Sequence, residues 1–175
     1  AIYDGTDAVM LSAETAVGSY PETAVAMMDR IARSVESDEK YQKSMQEMGL
    51  MPNQTTADAV SLAAVQMAYN VQADFIVTFT SSGTSAQRVS RNRPNSPILA
   101  ITPSARVCRQ LCVVWGVIPH QSEEIHSTDE MVTMAIKAIE EEGMATPETR
   151  FIITAGVPFG MRGSTNMIRV ERLGA

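Results

Sequence analysis

At 175 residues the chain can hold one domain, or one domain plus a further segment. A formal charge of −6 disfavours nucleic-acid binding, which usually calls for a basic excess. No apolar run nears the ~18 residues of a membrane-crossing helix, and the start lacks the basic-then-apolar order of a secretory signal.

Aromatic residues make up 5% of the chain and there are 12 methionines, so the core is expected to be aliphatic and Met-filled. The first predicted element is Ala8 to Leu11, a short apolar run of the kind shown by a strand buried on both faces. Ser12, Glu14 and Thr15 follow at once. In a (β/α)₈ barrel that end of a strand is where chemistry is placed. No earlier strand stands before it to pair with, so the chain is expected to be cut from something longer. Pro21 then opens a helix reaching about Ser37, with Ala24, Met27, Met28, Ile31 and Val35 on one stripe. Residues 38–54 are polar and charged and read as a helical connector ending near Gly49 and Pro52.

From Thr55 the pattern alternates. A helix is predicted over 56–71, then a strand over Phe75–Phe79, a hydroxyl-rich loop, and a helix from about Gly83 to Arg91. A strand over Ile98–Ile101 and a helix over Ala105–Leu111 come next. The apolar run Val113–Ile118 reads as a strand, with Trp115 as core. Ser127 and Glu130 form a capping box, S-x-x-E, that opens a helix stopped by Gly143. The last strands are Phe151–Thr154 and Met167–Val170, joined by a loop of about a dozen residues with no helix. The expected fold is therefore α/β: a three-layer, doubly wound, mostly parallel five-stranded sheet. Its last strand should be antiparallel and at an edge.

Two loops are candidates for chemistry. Thr80, Ser81, Ser82, Gly83, Thr84 and Ser85 follow a strand and open a helix, where free N–H groups and the helix dipole favour an anion. Phosphate is the natural guest, although the P-loop spacing and its Lys are missing. The other reading is a hydroxyl-rich cap and turn with no ligand. The second loop, Ala155 to Asn166, holds Gly160, Arg162, Gly163 and Ser164. If its strand neighbours the first, the two loops share one crevice and Arg162 faces the hydroxyls; otherwise it is a mobile Gly-rich hairpin.

The remaining polar residues carry weaker signals. Arg88, Arg91, Arg93, Arg106 and Arg109 form a basic region, most simply solvated or in surface ion pairs. His120 and His126 flank a polar loop and receive no role. Cys108 and Cys112 lie one helical turn apart, with Cβ atoms roughly 6 Å from each other, too far for an easy disulfide. Two reduced thiols suit a reducing cytoplasm, and no metal set is assigned.

The opening D-G-T-D-A-V-M-L-S-A-E-T-A-x-G-x-Y-P resembles the last barrel strand of pyruvate kinase. T-x-S-G-x-S, A-x-x-V-S-R-x-R-P-x-x-P-I-L-A-I-T, V-W-G-V, S-T-D-E-M and I-T-A-G-V-P-x-G-x-x-G-S-T-N resemble that family's carboxyl-terminal domain and occur in its order. V-W-G-V and T-D-E-M look most like bacterial members. The resemblance implies that residues 1–37 are a remnant of the last βα unit of the catalytic barrel, 38–54 a connector, and 55–175 the regulatory domain.

It further implies a parent enzyme moving a phosphoryl group from phosphoenolpyruvate to ADP with Mg²⁺ and K⁺. The metal carboxylates and cationic clamps would lie on earlier barrel strands. Ser12 and Glu14 would be accessory residues at the barrel mouth, and this segment alone would be inactive. Thr80 to Ser85 become the allosteric phosphate loop, closed over by Gly156–Asn166. Thr84 stands where family members often carry Lys or Arg. That weakens charge-assisted bonding to phosphate, which disfavours fructose 1,6-bisphosphate and leaves another sugar phosphate or AMP. A tetramer pairing partly through an edge strand is expected, in the cytoplasm. The alternatives are a stand-alone module for phosphorylated metabolites and a purely structural oligomerisation domain.

Overall fold

The computed structural model describes residues 1–47, 53–143, 145–160 and 163–174. The chain divides into two units, Ala1–Gly49 and Leu50–Ala175.

The first unit is helical. A 3₁₀ turn at Ile2–Asp4 is followed by α1 (Ala13–Ala16), α2 (Pro21–Glu36) and α3 (Glu39–Glu47). Pro21 occupies the first turn of α2, where its missing N–H costs nothing. Tyr3 donates its hydroxyl to Asp38 Oδ2 at 2.7 Å, and its ring meets the Tyr41 ring edge-on with centroids 6.0 Å apart. The predicted strand at Ala8–Leu11 is not formed: these residues are irregular, with Val9 40% and Met10 86% exposed. A strand is held by hydrogen bonds to a neighbour, and no strand lies among this unit's described residues. The apolar stripe of α2 is where the sequence predicts it, yet no α2 residue is buried. Ala24, Met27, Met28, Ile31 and Val35 instead line an open apolar groove with Ile2, Val9 and Leu11.

The second unit is the α/β domain. In chain order it holds α4 (Thr56–Val71), β1 (Phe75–Phe79), α5 (Thr84–Ser90), β2 (Ile98–Thr102), α6 (Ala105–Leu111), β3 (Val117–Gln121), α7 (Thr128–Glu141), β4 (Arg150–Gly156) and β5 (Thr165–Arg172). The sheet order is β3-β2-β1-β4-β5. All pairings are parallel except β4 with β5, as the fold expectation requires.

Strand residues alternate between two faces. Phe75, Val77, Leu99, Ile101, Phe151 and Ile153 pack with Met131, Ala135, Ala138 and Ile139 of α7. Ile76, Ile98 and Ile152 face the other way, onto Ala64 and Ala68 of α4 and Val89 of α5. Ala100 meets Ala86 of α5 with Val107 and Leu111 of α6. Near-continuous apolar runs are thus explained, because the strands are covered on both sides.

One strand is displaced from its prediction. Val113–Gly116 form turns, with Val114 N donating to Leu111 O and Val117 N to Val114 O. The chain must reverse after α6 before it can run parallel to β2, and these residues make that reversal. β3 therefore starts at Val117 and includes Pro119, tolerated because β3 is an edge. Trp115 is accordingly a half-buried turn residue and not part of a strand, and the Arg93 guanidinium lies 4.8 Å from its ring centroid. The connection from β4 to β5 spans only residues 157–164, because both strands extend further than predicted.

Candidate functional site

β1 lies at the point where the chain order reverses: β2 and β3 are to one side, β4 and β5 to the other. In open α/β sheets the crevice at the carboxyl ends of the strands beside that point receives ligands. A cavity of about 300 Å³ sits there. One wall is Thr80, Ser81, Ser82, Thr84 and Ser85; a second is Gly156, Phe159, Gly160 and Gly163 to Thr165; a third is Ser122 to His126. The two loops singled out in the sequence are therefore neighbours. Arg162 lies outside the described residues.

The hydroxyls divide their work. Thr80 Oγ1 is buried and accepts from Gly83 N at 2.9 Å, closing the turn. Gly83 has φ +86°, and a Cβ there would come within 3.3 Å of Leu111, so the turn calls for glycine. Ser85 Oγ and Thr165 Oγ1, both buried, share a hydrogen bond of 2.7 Å that ties the start of α5 to the start of β5. Ser82 Oγ and Thr84 Oγ1 share another at 2.9 Å on the exposed side, next to exposed Ser81. Among the described residues, the N–H groups of Ser81, Ser82, Thr84 and Ser85 meet no protein acceptor. α5 has only seven residues, so the donors at the cavity are these local groups more than a long helix dipole. Opposite, a Cβ on Gly156 would collide with Ser164 Oγ and come within 3.0 Å of the Ser164 backbone. Glycine thus lets the second loop fold back over the cavity.

The predicted basic region does not form one patch. Arg88 lines the cavity, but its Nε is 3.3 Å from Asp58 Oδ1, to which Arg91 Nη2 also donates. Asp58 is 2% exposed, and Thr55 Oγ1 donates to its Oδ2 at 2.5 Å. The Thr55 hydrogen bond, together with the Arg91 and Arg88 charges, outweighs burial and holds the Asp58 carboxyl below its ordinary value. Arg106 and Arg109 are exposed. This buried Asp58 hub was missed in the sequence, because its arginine partners are some thirty residues away.

The third wall was also missed. Its signal was the polar stretch after β3, since every loop following a parallel strand opens at the same end of the sheet. His126 N donates to Glu130 Oε2 at 2.8 Å, and Ser127 Oγ accepts from Glu130 N at 3.2 Å, so the predicted capping box forms one residue wide of its usual reach. His120 Nε2 lies 3.5 Å from Glu141 Oε2, away from the cavity lining. Cys108 and Cys112 are free thiols, and burial pushes the Cys108 thiol up.

In the first unit, Ser12 N donates to Glu14 Oε2 at 3.0 Å, and backbone hydrogen bonds lower the Glu14 carboxyl. That carboxylate caps its own short helix. Among the described residues no group of three or more His, Cys, Asp or Glu side chains could hold a metal ion, and no helix is long and apolar enough to cross a membrane.

Comparison with known proteins agrees with this architecture. The family model "Pyruvate kinase, alpha/beta domain" matches residues 58–171. A pyruvate kinase of Agrobacterium vitis is 43% identical over the whole chain, which covers 36% of that protein. Pyruvate kinases of Staphylococcus epidermidis and Clostridium acetobutylicum are 41% and 40% identical over 99% and 98% of the chain, covering 30% and 36% of their lengths. The chain thus spans about a third of the curated relatives it matches. With its sheet order, its antiparallel last strand and this match in hand, the chain belongs to the pyruvate kinase family, of which it carries the α/β domain.

Proposed function

We propose that the chain is the regulatory and assembly portion of a pyruvate kinase, and that its cavity binds a phosphorylated effector. The parent reaction transfers a phosphoryl group from phosphoenolpyruvate to ADP, giving pyruvate and ATP in the cytoplasm. Residues 1–37 are the end of the catalytic barrel, 38–54 a connector, and 55–175 the regulatory domain. In this reading the Mg²⁺ and K⁺ that such chemistry uses are held on earlier barrel strands of the parent. Ser12 and Glu14 are accessory to that chemistry, and the segment alone makes no pyruvate.

One observation carries the effector reading. Two loops from neighbouring parallel strands enclose one cavity, are tied by the Ser85–Thr165 hydrogen bond, and present unpaired N–H groups and hydroxyls to it. Short donors around a small cavity match the oxygens of a phosphate. Thr80, Ser81, Ser82, Gly83, Thr84 and Ser85 hold the phosphate, with Gly160, Arg162, Gly163 and Ser164 closing over it. The groove beside α2, lined by Met27 and Ile31, supports membership of a larger packed body over a stand-alone module. β5 is a sheet edge, which suits pairing of subunits into the family's tetramer.

Thermal unfolding with sugar monophosphates and AMP tests this. A ligand at one hundred times its Kd should add about 2.7 kcal/mol of stability. Ser82→Ala with Thr84→Ala should abolish that gain at an unchanged ligand-free midpoint, since among the described residues these hydroxyls bond only each other. Absence of any shift with every phosphorylated sugar and nucleotide would sink the reading.

A further inference from the structure

The chain's two cysteines stand at the end of α6. Cys108 is half-buried, Cys112 is exposed, and both are free thiols. Cys112 caps the helix with φ −60° and ψ −19°, so helical geometry continues through it. Residues four apart on a helix share one face. The Cys112 thiol leans back over the preceding turn and donates to Cys108 O at 3.4 Å. The other side of α6 is fixed, because Val107 and Leu111 are buried with Ala86 and Ala100. Arg106 and Arg109 of the same helix are exposed, and α6 holds no acidic residue.

We propose that Cys108 and Cys112 form a two-sulfur clamp for a soft monovalent metal ion, Cu⁺. Three chemistries compete for a pair of thiols, and spacing separates them. A disulfide needs Cβ atoms about 3.8 Å apart, whereas residues four apart on a helix hold theirs roughly 6 Å apart. Zn²⁺ asks for four ligands, and among the described residues no third His, Cys, Asp or Glu joins the pair. A single ion with metal–sulfur bonds of about 2.3 Å spans up to about 4.6 Å between two sulfurs. Two Sγ atoms on one helix face reach that separation without unwinding the helix. Thiolate ligands select Cu⁺ over harder ions. On binding, each S–H bond gives its proton to solvent and an S–Cu bond forms. Copper stays monovalent, so no oxidant or reductant is consumed. The bis-thiolate centre carries one negative charge, which Arg106 and Arg109 offset.

Anaerobic titration of the 175-residue chain with Cu⁺ against a colorimetric Cu⁺ chelator tests this. One ion per chain is expected. It should bind at least about a hundredfold tighter than to Cys108→Ser or Cys112→Ser, since the second sulfur binds intramolecularly. X-ray absorption at the copper edge should show two sulfur neighbours and no nitrogen or oxygen. Cys112→Ser with Gln110→Cys keeps two thiols but sets them two residues apart, on different faces, and should bind no better than the single-thiol chains. An equal concentration of Zn²⁺ should leave the Cu⁺ titration unchanged. Circular dichroism verifies folding of each variant, and the absorption spectrum of the unsubstituted chain tests the clamp without any substitution. Uptake below one ion per chain, full affinity in either serine variant or in the shifted pair, displacement by Zn²⁺, or nitrogen or oxygen around the copper overturns the proposal.

Discussion

α2 and α7 are written in the same code and end differently. Each is an amphipathic helix with an apolar stripe at helical spacing. In α7, Met131, Ala135, Ala138 and Ile139 are fully buried against one face of the sheet. In α2 nothing is buried, and Ile31 remains 53% exposed. The difference lies in what each helix has to pack on. α7 meets the flat, apolar face made by β1, β2 and β4, whereas α2 shares a groove with an irregular stretch that has no strand partner. An amphipathic pattern states that a surface must be covered; it does not state by what.

Substitutions of matched size sharpen this contrast. Ile153→Ala, fully buried on the interior strand β4, should cost about 2–5 kcal/mol through lost burial and a residual cavity. Urea unfolding followed by the fluorescence of Trp115, the chain's single tryptophan, reads it. A cost below about 1 kcal/mol would mean that the sheet is not the rigid partner described. Next in size is Asp58→Asn, which leaves Arg88 and Arg91 without their shared carboxylate. Both arginines are about a quarter exposed, so the cost should fall below that of a fully buried pair, at about 2–3 kcal/mol.

The same residue gives a pH signature. The folded carboxyl is lowered from its ordinary 3.8, so its stabilising contribution is complete above that value. It fades as pH falls from there through the folded value. Wild type should lose this increment in that acid range, and Asp58→Asn should not. Parallel acid profiles for the two proteins would contradict the hub. The smallest effect is expected for Ile31→Ala in α2, at most about 1 kcal/mol by far-ultraviolet circular dichroism, because half of that side chain already meets water. A loss as large as that of Ile153→Ala would show that α2 is covered after all.

Much of the domain was legible from residue pattern. The run Phe75–Phe79 is β1 at the predicted bounds, and Thr56–Val71 is α4. Ser127 and Glu130 mark the start of α7 through side-chain hydrogen bonds that are local in sequence. Val113–Ile118 misled because apolar content does not separate a buried strand from an apolar turn, and only the need to reverse after α6 decides between them. Ala8–Leu11 misled for the complementary reason: strand character is shared with a neighbour, which composition cannot supply.

The candidate site was half legible. The hydroxyl loop announced itself by six hydroxyl residues among the eight from Thr78 to Ser85. Their separate duties did not. Thr80 closes a turn, Ser85 reaches a residue eighty positions away, and Thr78 is buried within β1, outside the loop.

By itself, then, the sequence determined the order and type of nearly every element in residues 55–175 and the two loops worth watching, because these depend on periodicity, caps and turns within a few residues. Tertiary structure alone decided that β1 sits beside β4, that the 122–126 segment lines the same cavity as the hydroxyl loop, and that Arg88 and Arg91 meet at Asp58. These are contacts between residues far apart in the chain. They are fixed by the order in which strands assemble into a sheet, and no local pattern encodes that order.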